Sequence, residues 1–316
     1  MAEEISTRKA YGHTLVELAD KNRDIVVLDA DLSPSTMTDL FAAEYPDRFF
    51  DCGIAEQNMM GIAAGLAASG KTVFASTFAV FASGRAYDQV RMSIAQPRLN
   101  VKIVATHGGI SVGEDGFSHH AIEDLALMCS LPNMTVVVPA DANEASQAVR
   151  VAAETPGPFY IRLSRPKTPL IYGEVDRDYR FVIGRAVTMR GGADATVIAT
   201  GIMVEPALRA AETLAKEGFD LRVLNMHTLK PLDEDAVVTA AKETGAILTV
   251  EEHLLQGGLG SRVAPVVAKN HPVPMAFMAI EDRFSSSGKP NELLEQHGLT
   301  ADGIAGQARQ LLSRKG

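Results

Sequence analysis

Val101-Lys102-Ile103-Val104-Ala105-Thr106-His107-Gly108-Gly109-Ile110-Ser111-Val112-Gly113-Glu114-Asp115-Gly116-Phe117-Ser118-His119-His120 carries the pattern from which the fold is read. Its first six residues are nearly all apolar and do not alternate, which predicts a strand covered on both faces. Such a strand belongs in a parallel sheet with helices packed on either side. The run that follows holds four glycines in nine residues, two carboxylates and three imidazoles. Loops of this composition bring backbone and polar side chains close to a ligand, and open parallel sheets place ligands at the carboxyl ends of their strands.

The same alternation extends outward. Ile25 to Leu28, Val73 to Ser76, Thr135 to Val138 and Phe159 to Leu163 read as further strands. Lys9 to Lys21, Gln57 to Ala68, Ser83 to Ile94, Ile122 to Cys129 and Asn143 to Glu154 read as the helices between them. Between Ser164 and Gly192 the periodicity gives way to turn residues and mixed charge, and then it restarts. Ala195 to Thr200, Leu221 to Asn225, Ala246 to Glu251 and Met275 to Ile280 are predicted strands there. Helices are expected near Glu205 to Lys216, Glu234 to Lys242, Gly260 to Lys269 and Asn291 to Gln296. The fold class is therefore α/β, with two domains that each hold a mainly parallel sheet covered by helices. The boundaries are set at residues 1–170 and 193–316, with residues 171–192 as linker.

Composition removes several function classes. The 316 residues carry a net charge of -9 and no basic run, so a nucleic-acid partner has no electrostatic footprint. Two cysteines without zinc spacing suggest neither a disulfide framework nor a metal site, and a reducing cytoplasm fits best. No apolar stretch is long enough to predict a membrane span, and no export signal is expected. His119 and Glu123 have the spacing that puts two ligands on one helical face, but a third ligand is missing, so no metal is assigned to this chain.

Four constellations invite chemistry. Glu56 opens Glu-Gln-Asn-Met-Met-Gly-Ile-Ala-Ala-Gly, a helix apolar enough to bury its carboxyl; it is either satisfied by first-turn N–H groups or exchanges a proton with a ligand nitrogen. Phe78 and Phe81 follow a strand in a chain with only 6% aromatic residues, and form either core or a stacking surface for a flat ring. The loop quoted above supplies His107, Asp115 and His119. Arg8, Ser35 and Arg165, if they converge, suit a phosphate; scattered surface arginines are the ordinary alternative.

These segments together resemble the pyrimidine-binding and C-terminal domains of the transketolase family, thiamin diphosphate enzymes, over essentially the whole chain. The run His107 to His119 is the most specific part, similar to a family stretch ending Gly-Glu-Asp-Gly-Pro-Thr-His-Gln. The resemblance implies that Glu56 hydrogen-bonds the pyrimidine N1′ of thiamin diphosphate. By the same resemblance Phe78 and Phe81 flank that ring, and Asp31 lies near the cofactor. His107, His119 and Asp115 would hold sugar hydroxyl and carbonyl groups, with Glu56, His107 and His119 catalytic and Arg8, Ser35 and Arg165 on the distal phosphate. It further implies transfer of a two-carbon ketol unit from a ketose phosphate to an aldose phosphate.

Departures from the family pattern are Phe117-Ser118 for Pro-Thr, His120 for Gln, and Gly84 where a third aromatic usually stands. Gly-Asp-Gly followed by Asn-Asn, with which the family holds magnesium and the diphosphate, is missing, and Gly113-Glu114-Asp115-Gly116 is not that motif. The resemblance thus implies the second half of a transketolase made of two polypeptides. An N-terminal partner subunit would carry the diphosphate-binding domain and most of the Mg2+ or Ca2+ site, in an α2β2 assembly inactive without it. Half of a 1-deoxyxylulose-5-phosphate synthase and a 2-oxo acid dehydrogenase β subunit are rival enzymes, disfavoured by Ala-Thr-His107 and by the Arg8, Ser35, Arg165 set. A non-catalytic binding subunit is the rival of another class.

Overall fold

The structure, a computed structural model, describes residues 4–172 and 179–315; residues 173–178, part of the expected linker, lie outside the described residues. The first sheet has seven strands in the order Thr228–Lys230, Thr135–Val137, Phe159–Arg162, Val101–Thr106, Thr72–Phe78, Ile25–Asp29 and Phe49–Asp51. All run parallel except Thr228–Lys230, which adds antiparallel at one edge. The second sheet runs Met275–Ile280, Ile247–Leu254, Ala195–Ala199, Leu221–Asn225 and Val187–Arg190, with only the last antiparallel. The central strands are buried along their whole length, as their unbroken apolar runs require. Each Val, Ile or Leu side chain so buried contributes about 1.5–3 kcal/mol.

Register decides what stands beside what. Phe78 pairs with Thr106, and Ala105 with Arg162, so Phe78, His107 and the residues after Arg162 emerge together at one end of the sheet. The amino terminus is tied to that end. Glu4–Ser6 pairs antiparallel with Lys167–Pro169, and the Thr7 hydroxyl accepts the Ser164 N–H at 3.1 Å.

Three sequence expectations are corrected. Ser83 to Ile94 is not one helix: wide turns at Phe81–Arg85 and Val90–Ala95 flank a short helix at Tyr87–Gln89, with i to i+5 bonds such as Ala86 N–H to Phe81 O at 3.3 Å. Such bulges re-aim side chains and cluster at functional sites. The helix expected from Ile122 begins at Asp124, so His119 and Glu123 do not share a helical face; the glycines upstream keep this chain in turns. Within the expected linker, Val187–Arg190 is an edge strand, and Tyr172 and Tyr179 are buried and stacked at 3.8 Å. Both hydroxyls donate to Glu144 Oε1, at 2.9 and 2.7 Å, and Asn225 of the second domain joins them at 3.0 Å. The domains are packed together there, and Thr228–Lys230 crosses into the first sheet.

Candidate active site

Every feature of the site lies at the carboxyl end of the first sheet, where the chain leaves parallel strands. Asp29, fully buried at the end of its strand, accepts hydrogen bonds from the Thr36 and Thr38 hydroxyls at 2.7 and 2.9 Å and from the Leu32 N–H at 2.7 Å. It thereby shapes the loop that presents Asp31 and Ser35, and burial pushes its carboxyl up to about 6. Asp31 sits in the left-handed region, at φ 62, with its N–H bonded to Asp51 Oδ1 at 3.1 Å.

Glu56 occupies the first turn of the Glu56–Ala68 helix and is 1% exposed. Arg85 Nη1 spans both carboxylate oxygens, at 2.8 and 2.9 Å. The first-turn N–H groups are not its partners, and neither sequence reading foresaw the arginine. Arg85 belongs to the wide turn that breaks the expected helix, and its guanidinium also lies over the Phe81 ring at 4.5 Å. Because one nitrogen serves both oxygens, each keeps a lone pair for a further donor.

The aromatic and imidazole residues form one stack. Phe78 lies on His107 at 3.8 Å and is nearly parallel to Phe81 at 6.0 Å, while His119 meets both phenyl rings by its edge, at 6.2 and 5.5 Å. His107 is 3% exposed and sits at φ 61, a backbone conformation uncommon for non-glycine residues. Its Nδ1 is hydrogen-bonded to the Thr106 hydroxyl at 2.8 Å. Burial first, then the charges of Arg8, Arg165 and His119, lower its pKa to about 3. The imidazole is uncharged at neutral pH. His119 is half-buried, with Nδ1 on the Ser118 hydroxyl at 3.0 Å.

Arg8 and Arg165, 157 residues apart, are brought together by the pairing of the two chain segments described above. Arg8 Nη1 donates to the Ser35 carbonyl at 2.6 Å, so Ser35 enters by its backbone as well as by its place on the loop. Arg165 donates to the Val112 carbonyl and to Glu114 Oε2, the latter at 2.9 Å. Burial and the neighbouring Arg165 charge both lower the Arg8 pKa, and the buried Arg8 Nε has no partner. Two guanidinium groups held close with a donor unfilled make a place for an anion.

Asp115 is exposed on the same loop, and its charge acts on His120, whose ring is buried with Nε2 on the Gly113 carbonyl at 3.3 Å. Among the described residues neither the Asp31 nor the Asp115 carboxylate has a hydrogen-bond partner in the protein. Gly84 faces open space, with no atom within 4 Å of the place a Cβ would take. Among the described residues no group of three or more His, Cys, Asp or Glu side chains is placed to hold a metal ion, and no helix is long and apolar enough to cross a membrane.

Sequence reasoning missed Arg85 and Asp29. Arg85 lies in a wide turn that ordinary helical spacing does not mark, and a lone Asp at a strand end carries no signal of its own.

Comparison with known proteins gives the family. Residues 3–170 match the family model of the transketolase pyrimidine binding domain, and residues 184–304 that of the transketolase C-terminal domain. A 6-deoxy-6-sulfo-D-fructose transketolase subunit from a Clostridium species is 43% identical over 313 residues, covering 99% of this chain and 96% of its own. Human transketolase is 42% identical over 316 residues, and there the chain spans only 50% of the relative's length. Among solved structures, a split-gene transketolase described as an inactive β4 tetramer superposes with a TM-score of 0.92 at 51% identity, covering 99% of this chain and 100% of that one.

Proposed function

The chain belongs to the transketolase family, and from that premise we propose that it contributes the pyrimidine-facing half of a two-chain transketolase. The partner is an N-terminal subunit bearing the diphosphate-binding domain, in an α2β2 assembly. The observation that carries the reading is a buried Glu56 held by Arg85, whose guanidinium lies over Phe81 in the stack with Phe78 and His107. That the related split-gene structure is described as an inactive tetramer of like subunits supports the need for a partner.

Thiamin diphosphate, when bound, supplies the nucleophilic carbon for breaking and remaking a carbon–carbon bond beside a ketone. The residues present fit its pyrimidine: two aromatic faces, and a buried carboxyl with lone pairs to spare. Glu56 would accept a hydrogen bond from the ring nitrogen N1′ and so keep a proton there, and burial would strengthen that bond. Phe78 and Phe81 would keep water from it, with Asp31 beside the bound cofactor. His107, being uncharged, can donate or accept one hydrogen bond at a sugar hydroxyl or carbonyl without placing a cation there. His119 and Asp115 act on the same hydroxyl groups, with His119 free to pass a proton. Arg8, Ser35 and Arg165 take the distal phosphate, whose charge relieves the repulsion between the two guanidinium groups. Mg2+ or Ca2+ is left to the partner subunit, since Gly-Asp-Gly with Asn-Asn is missing here. A ketose phosphate then donates, and an aldose phosphate accepts, the two-carbon ketol unit.

Glu56→Gln in the reconstituted complex tests this. Turnover is expected to fall about 10²- to 10⁴-fold, the usual contribution of a positioned acid or base. Unchanged turnover would put the non-catalytic binding subunit ahead.

A further inference from the structure

In the second sheet the chain passes from Ala195–Ala199 to Leu221–Asn225 on one side and returns to Ile247–Leu254 on the other. The carboxyl ends of Ala195–Ala199 and Ile247–Leu254, around Thr200 and Glu252, therefore frame the crevice in which an open parallel sheet ordinarily takes its ligand. Here the first domain fills it. Gly108, Arg162 and Ser164 face Thr200, Gly201 and Glu252 across the little space that remains.

The contact is specific. Ser111 donates its N–H to Glu252 Oε1 at 2.5 Å, and Arg162 Nη2 donates to the Glu252 carbonyl at 2.9 Å and the Ala121 carbonyl at 3.0 Å. Arg162 is ion-paired with the buried Asp124 at 3.0 Å, and Asp124 accepts the Tyr160 hydroxyl at 2.7 Å. The two residues after His107 could be nothing larger than glycine. A Cβ on Gly109, at φ +78, would lie 2.2 Å from Glu252 Cδ, and one on Gly108 would lie 2.3 Å from Arg162 Nε. Glu252 is 3% exposed, and a carboxyl so buried is costly unless it is hydrogen-bonded; its side chain engages the N–H of the loop that presents His107.

We infer that Glu252 is a positioning residue: from the second domain it fixes the Gly108–Ser111 loop, and through it the left-handed backbone that lays the His107 imidazole on Phe78. This gives the second domain a task at the site beyond packing. The claim that the reaction feels it rests on the role proposed above for His107; the claim that the loop is held does not.

Three variants of the full chain test both. Glu252→Ala removes the acceptor, Glu252→Gln retains an oxygen of the same reach, and Glu252→Asp, one methylene short, makes the comparison if the alanine chain does not fold. In the isolated chain, NMR titration of the labelled His107 ring should show wild type and Gln uncharged well below neutrality. Ala or Asp should titrate higher, by about one pH unit or more as the ring gains water. In the complex reconstituted with the diphosphate-binding subunit, Ala or Asp should lower kcat about ten- to hundredfold, as misplacement does, with Gln near wild type. An unmoved His107 titration in a folded Ala or Asp chain overturns the positioning claim whatever turnover does. A moved titration with unchanged turnover overturns the role of His107 in the reaction instead.

Discussion

His107→Asn should make the protein markedly less sensitive to acid. Asn is the apt replacement because it tolerates the left-handed conformation that His107 adopts at φ 61. In the folded chain burial and the facing charges of Arg8, Arg165 and His119 hold the imidazole pKa at about 3, against 6.5 for the free side chain. Between those values the unfolded chain binds a proton that the folded chain refuses, so stability rises with pH across this window and is lost on acidification. From pH 7 to pH 5 the loss assignable to this one group integrates to about 2 kcal/mol, at about 1.4 kcal/mol per unit once below the unfolded pKa. For a chain of 316 residues that is about 3 °C in Tm. Differential scanning calorimetry of the isolated chain and of His107→Asn, each at pH 7 and pH 5, reads the difference of the two drops, and the variant's own offset at pH 7 cancels. Parallel drops would refute the reasoning, since the ring would then be protonated in the folded protein or free to leave its place.

Arg165→Met should raise the KM for a phosphorylated acceptor about ten- to hundredfold, the worth of a charge-assisted hydrogen bond, while leaving an unphosphorylated acceptor nearly unaffected. Equal effects on both sugars, in steady-state kinetics of the two-chain enzyme, would remove the phosphate from this pair of guanidinium groups. Gly84→Phe enters open space at a position without a positive φ, so Tm should move by no more than about 2 °C. Restoring the third aromatic should tighten thiamin diphosphate about three- to tenfold in a fluorescence titration of the complex, as one aromatic contact allows; weaker binding would mean that Gly84 does not border the pyrimidine.

Most of the architecture could be read from residues because buried parallel strands advertise themselves. Val101–Thr106 was expected with those bounds and is found with them. Short edge elements carry no such signal: Phe49–Asp51, Val187–Arg190 and Thr228–Lys230 are too brief for a period to show, and Thr228–Lys230 crosses between domains. The Ala301–Arg314 helix lies outside the expected elements although Ile304, Ala305, Ala308 and Leu311 make a buried face, because Ala and Gly dilute its pattern and its Thr300 cap bonds to a glycine N–H. At the site, residue types and spacings pointed to Glu56, Phe78, Phe81, His107 and His119, which the structure gathers around one stack. The convergence of Arg8 and Arg165 depends on the pairing of Glu4–Ser6 with Lys167–Pro169, a tertiary contact with no local trace. Arg85 was hidden for a similar reason, since the wide turn that aims it at Glu56 departs from ordinary helical spacing.

The most direct measurement is ketol transfer between sugar phosphates, with thiamin diphosphate and Mg2+ present, for this chain alone, for the diphosphate-binding subunit alone and for the two mixed. Turnover is expected only in the mixture, rising to a plateau at equal molar amounts. Comparable turnover by this chain on its own would contradict it.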